Sequence, residues 1–217
     1  PSNSSAASDV YKRQLAIFFL TLIFSMPLGL LVCEIRKSRI GIVRWIARIY
    51  ISIMRGTPLM LQLLVVFFGP YYLFGMKVTA TYRFYAVIIG FALNYAAYFA
   101  EIYRGGIESI PKGQYEAAEV LGYSKVQTFW KIIFPQMVKR VLPPVTNEVI
   151  TLVKDTSLAR IIALQEIIWA GQAFMKGSQG ISGAIWPLFF CAFYYLIWNG
   201  VLTVLLGKLE KKLDFFR

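Results

Sequence analysis

The chain has 217 residues, is 58% hydrophobic with a mean hydropathy of +0.59, and carries a net charge of +12. That combination excludes a water-soluble globular domain of average makeup. The Lys and Arg residues fall between apolar runs, not on a soluble scaffold, which argues against a nucleic-acid surface. Cys33 and Cys191 lie in or at the end of apolar runs and there is no histidine, so neither a disulfide framework nor a zinc or haem site is expected. No cofactor is assigned to the chain.

Residues 1–14 are treated separately. Pro1 to Ala7 is small and polar, and Asp9 to Gln14, DVYKRQ, resembles the translation of a transposon end used to fragment DNA for sequencing. Residues 1–14 are therefore expected to be a non-native head with the natural N-terminus missing, and residues 15–217 a single membrane domain.

A helix crosses about 30 Å of hydrocarbon with about 20 apolar residues. Leu15 to Cys33 supplies the first such run, closed by Arg36, Lys37 and Arg39. In Gly41 to Met54, Ile42, Trp45, Ile46, Ile49, Tyr50 and Ile53 recur at helical spacing opposite Arg44 and Arg48. This fits an amphipathic helix at the interface, or the wet end of a long span. Thr57-Pro58 reads as an N-cap with proline at the first helical position, opening a second span to Phe74. A third is expected over Phe84 to Ile102, a fourth from near Pro143-Pro144 through Ile161, and a fifth over Ala184 to Leu206.

Charge sets the topology. Arg36 to Arg55, Arg104 to Arg140 and Lys208 to Arg217 hold most of the Lys and Arg residues on one side; Lys77, Arg83 and Lys176 are the few on the other. By the positive-inside rule the loop at about 104–140 and the C-terminus are cytoplasmic and the N-terminus is outside.

That loop has its own architecture. Ser109-Ile110-Pro111 starts a helix, Gly122 ends it, and Ser124 with Gln127 forms a capping box for a second helix that stops before Pro135. Ala117 and Ala118, flanked by Glu116 and Glu119, remove bulk where another surface could come close. The residues alone fit either a docking key or a solvated connector.

Polar groups inside the spans are expensive, about 2.5–3.5 kcal/mol each on insertion scales. Asn147, Glu148, Thr151, Lys154 and Asp155 form one helical stripe in the fourth span, and Asn94, Tyr98 and Glu101 a weaker one in the third. Either a wet substrate pathway or subunit interface, or an internal pairing of Lys154 with a carboxylate, accounts for the first; Asn94 and Tyr98 are candidates for the same pathway or interface, with an interhelical hydrogen bond the alternative for Asn94. Ala92, Ala96 and Ala100 have the small-x-x-x-small spacing of close helix packing.

Glu116-Ala117-Ala118, Gly122, Ile132 and Pro135 resemble, in residue and spacing, the signature of membrane subunits of ABC-type importers. Phe134 stands where that pattern usually has leucine. RGTPLMLQL (55–63), AEIYRGGIESIPKGQYEAA (100–118), LPPVTNEVITLVKDTSL (142–158) and LEKKLDFF (209–216) are similar to the polar amino-acid uptake permeases of the histidine, glutamine, arginine and cystine type. The resemblance covers Leu15 to Arg217. It implies an all-α integral membrane protein of the type I importer permease class, in a bacterial plasma membrane. It also implies a second permease subunit, two ATPase subunits holding ATP and Mg, and an external binding protein that delivers a polar amino acid. Glu116, Ala117, Ala118, Glu119, Gly122 and Pro135 would then couple to the ATPase. The chain has no G-x-x-x-x-G-K-[ST] loop to cradle ATP phosphates, so no enzymatic activity is expected of it. The competing reading, a self-contained secondary carrier using Glu148, Lys154 and Asp155, calls for a duplicated half, and no internal repeat is visible.

Overall fold

The computed structural model describes residues 3–171 and 182–213, and within them the chain is helical with no strand. In chain order the helices are α1 (Asn3–Arg36), α2 (Gly41–Gly56), α3 (Leu59–Phe74), α4 (Ala80–Glu108), α5 (Lys112–Val120), α6 (Lys125–Thr128), α7 (Phe134–Asp155) and α8 (Ser182–Leu213). A π-helical turn, Phe129–Ile133, joins α6 to α7, and a 3-10 segment, Thr156–Ile162, follows α7.

Helix α4 is the axis. Phe91, Tyr95 and Phe99 are fully buried along it, and α1 packs on it over much of its length. A Cβ on Gly29 of α1 would stand 2.7 Å from Phe99 Cβ and 3.1 Å from the Ala96 carbonyl oxygen. Only a glycine facing the Ala92, Ala96 and Ala100 stripe permits this approach, so the small-residue spacing serves helix packing. The two helices stay in register through Pro27, which does not break α1.

Gly106 repeats the device between α4 and α7. A Cβ there would stand 2.2 Å from Val141 Cγ2. Gly106→Ala is expected to destabilise the protein by about 1–3 kcal/mol through overpacking. A thermal melt in detergent reads the loss, and adding Val141→Ala should recover most of it.

Three helices are long and apolar enough to cross a membrane, with described spans Asp9–Arg36, Thr81–Glu108 and Trp186–Leu213; α2 and α3 make a fourth if a bend of 111° between them is counted as one broken span. Each of the five expected spans has its helix, and two of them are shorter or less apolar than those long spans. The second is the 16-residue α3, and the fourth is α7, which starts at Phe134, carries both Pro143 and Pro144 inside it, and turns into the 3-10 segment at Thr156. Its charged residues make it less apolar than a free-standing span. The first helix begins at Asn3, ahead of the expected Leu15, and the side chain of Gln14 donates to Thr156 Oγ1.

The Thr57-Pro58 junction also departs from expectation. Pro58, not Thr57, is the N-cap of α3, and the Thr57 hydroxyl turns back to donate to the Ile53 carbonyl at 2.8 Å. Two buried amides hold the bend. Gln62 Nε2 donates to the carbonyls of Met54 and Thr57, each at 3.0 Å, and Asn94 Nδ2 donates to Met54 O at 3.0 Å and Gln62 Oε1 at 2.9 Å. These bonds satisfy carbonyls that the end of α2 leaves without helical partners.

After α7 the chain turns at Ala163, in the left-handed region at φ 57°, and Arg83 donates to its carbonyl at 3.2 Å. The fully buried Glu166 then caps a helical turn over residues 167–171, accepting from the amides of Ile168 and Trp169 at 2.7 Å each. Burial pushes its carboxyl above the usual carboxylate range, against the pull of those two bonds and of Arg160.

Candidate functional site

The arm over residues 109–136 is built by local rules. Helix α4 ends at Glu108, where Ser109 Oγ donates to the Gly106 carbonyl at 2.7 Å, and α5 begins after Pro111. It closes in a Schellman motif: Gly122 N–H donates to Glu119 O at 2.9 Å and Tyr123 N–H to Ala118 O at 3.0 Å, with Gly122 at φ 77°. Ser124 and Gln127 form the expected capping box for α6.

Pro135 does not stop the second helix. The π turn ahead of it, with Phe134 N–H reaching back to Phe129 O, widens the helix and makes room for a ring that lacks an N–H, so α6 runs on into α7. The arm is thus rigidly continuous with a bundle helix. Gln136 Nε2 donates to Gln114 Oε1 at 3.2 Å, and Arg140 donates to the Ser109 carbonyl at 2.7 Å, so α5 and the α4 corner are both tied to α7.

The six arm residues separate into two groups. Glu116, Ala117, Glu119 and Gly122 are exposed, whereas Ala118 is 1% exposed and packs inward. Pro135 belongs to the helix junction, although it is exposed. The exposed face continues into Val120 at 87% and Leu121 at 72%, with Val126 and Trp130 nearby in sequence also exposed. Their exposure was not foreseen, because the Schellman turn rather than helical periodicity decides which way Val120 and Leu121 point. The patch is apolar on an otherwise polar loop.

At the root of the arm, Glu101 on α4 meets Arg36 from the end of α1, Arg104 one turn further along α4 at 2.8 Å, and Arg55 from α2 at 3.9 Å; Arg104 also bonds Glu108. Three helices are thereby clasped at one point. Sequence reasoning missed the clasp; its only local signals were the i,i+3 and i,i+4 spacings of Glu101, Arg104 and Glu108.

The polar stripe of α7 is only partly covered. Asn147 and Lys154 are exposed; Glu148, Thr151 and Asp155 are half-buried, and Asp155 accepts from the Tyr95 hydroxyl at 2.8 Å. Lys154 makes no salt bridge among the described residues, although its charge reaches the Asp155 carboxylate on the same helix. Arg55 lies over the Tyr98 ring, 5.4 Å from its centroid, and within electrostatic reach of Glu148. Tyr98 therefore joins the stripe. Asn94 does not: its side chain is committed to the α2–α3 bend.

The family model for "Binding-protein-dependent transport system inner membrane component" matches residues 15–215. This chain belongs to that family. Among its relatives, the permease is 35% identical over 195 residues to the L-cystine transport system permease protein TcyB of Bacillus subtilis, covering 90% of this chain and 81% of the relative. It is 35% identical over 201 residues to the arginine transport system permease protein ArtQ of the same organism, covering 92% and 88%. A solved structure described as an amino acid ABC transporter with histidines superposes with TM-score 0.82 at 29% identity, covering 92% of the permease and 90% of that chain. The MetNI methionine ABC transporter shares the fold, with TM-score 0.66 at 16% identity. The permease is an inner-membrane transport component of the type I importer class, and the ATP chemistry of such systems lies on separate subunits.

Proposed function

We propose that the permease carries polar amino acids into the cell by alternating access, paired with a second permease subunit and fed by an external binding protein. Two ATPase subunits, holding ATP and Mg, dock on α5 and the Gly122 corner. The N-terminus faces outside, and the arm and C-terminus face the cytoplasm. One observation carries the reading: an exposed, acid-flanked apolar face at Ala117, Val120 and Leu121 sits on an arm bonded to both α4 and α7. A push on that face reaches the two helices that carry Tyr98 and the α7 stripe.

The group formed by Arg55, Tyr98 and the α7 stripe suits a zwitterion. Glu148 and Asp155 offer acceptors for an ammonium, while Arg55 and Lys154 offer donors for a carboxylate. The names of the cystine and arginine relatives support an amino-acid substrate.

Cysteine cross-linking in the assembled transporter tests the docking. Ala117→Cys, in an otherwise cysteine-free chain, is expected to cross-link to the ATPase subunit in a nucleotide-dependent way. Ala118→Cys should give little product because its side chain points inward. Equal cross-linking at both positions, or none at Ala117, would contradict the proposal.

A further inference from the structure

Helix α2 presents three faces. Ala47 and Ile51 are buried against the bundle; Ile42, Trp45, Ile46, Ile49 and Ile53 are exposed on a second side; Arg44 and Arg48 are exposed on a third. At 100° per residue the exposed apolar side and the arginine side are widely separated around the helix axis. Such a helix suits a boundary between hydrocarbon and water.

Its depth agrees. Along α4, Glu101 lies roughly 30 Å from Thr81 at 1.5 Å per residue, about one hydrocarbon thickness. α2 packs on the inner half of α4: Tyr50 donates to the Leu93 carbonyl at 2.5 Å and Met54 O accepts from Asn94 near its middle, and Arg55 reaches Glu101 at its inner end. The bend of 111° turns α2 away from the line of α3, which packs along the outer half of α4 through Leu63 against Gly90 and Phe67 against Tyr82. α2 is thereby turned off the line of α3, beside the inner half of α4.

Charge identifies the occupant of its free face. Lys37 is paired with Glu34 at 2.5 Å, but Arg39, Arg44 and Arg48 have no salt bridge among the described residues. Arg48 also adds positive potential beside Arg36 of the Glu101 clasp. A positive surface with exposed isoleucines beside it is complementary to a lipid with an apolar tail and a negative head.

We propose that α2 lies in the plane of the cytoplasmic leaflet and binds the phosphodiester headgroup of anionic lipid through Arg44 and Arg48, with acyl chains along Ile42, Ile46, Ile49 and Ile53. The cytoplasmic placement rests on the topology proposed above; the lipid preference does not depend on the transported substrate. Because Arg48 adjoins the Glu101 clasp, lipid charge acts close to the root of the arm.

The test is native mass spectrometry of the assembled transporter in neutral detergent, offered equal phosphatidylglycerol and phosphatidylcholine. The wild type is expected to retain phosphatidylglycerol preferentially, and the double variant Arg44→Gln/Arg48→Gln to lower that preference at least threefold. The exposed sites make misfolding a minor concern, and Arg44→Lys/Arg48→Lys should keep the preference. An unchanged ratio in the glutamine variant overturns the proposal, as does an equal loss in the lysine variant. Both outcomes are read without any uptake assay, so they stand apart from the transport reading.

Discussion

Gly122→Val is expected to insert into the membrane at normal levels and to lose ATP-driven uptake by about 5–30-fold. Gly122 holds φ 77°, and a Cβ there would meet nothing within 4 Å, so the penalty is conformational and not steric crowding. Placing an L side chain in the left-handed region costs about 1–2 kcal/mol, which corresponds to that range in an equilibrium. The corner can relieve the strain only by giving up its bonds to Glu119 and Ala118, which reorients Val120 and Leu121. Since the site is open to solvent, the bundle itself should be untouched. Gly122→Asn is the matched control, because asparagine tolerates this backbone, and it should retain most of the uptake. Uptake by reconstituted transporter at matched abundance reads both; a fully active valine variant would show that the corner does not orient the docking face.

Glu101→Gln is expected to lower the thermal midpoint in detergent by about 6–12 °C. Glu101 is 14% exposed at its side chain and is the shared acceptor for Arg36 and Arg104, with Arg55 close by. Neutralising it leaves the arginines facing one another with less compensation. Breaking a buried pair costs about 3–5 kcal/mol, and the partial exposure of the arginines favours the lower end, about 3 kcal/mol, at 2–4 °C per kcal/mol for a chain of this size. High salt should narrow the gap between wild type and variant, since screening weakens the repulsion among the remaining cations. A variant that melts with the wild type would remove the clasp from the account. If instead it melts early but regains uptake at low temperature, the role of Glu101 is confined to stability.

The arm was the most legible part of the molecule. A glycine after a short helix, a Ser/Gln capping box and paired alanines are local instructions, and the structure follows the first two in full. Ala117 and Ala118 look alike in sequence, yet one is exposed and the other buried, because only the packing of α5 against the helix after it distinguishes neighbouring positions. Pro135 was misread for a similar reason. A proline signals a break when the helix before it is regular, and the π turn from Phe129 to Ile133 removes that condition. In the polar stripes, spacing grouped Asn94 with Tyr98, but their side chains go to different places.

Composition, hydropathy and the spacing of caps and charges determined on their own that the chain is a helical membrane protein with a structured polar arm. Those properties depend on neighbours within a few residues, or on sums over the whole chain. Tertiary structure alone decided which polar groups serve as joints and which stay open. Gln62 and Asn94 meet across 32 positions, and Arg36 and Glu101 lie on different helices, so each finds its partner only when the bundle closes. In a medium without water, a buried polar group must take whichever partner the packing brings to it.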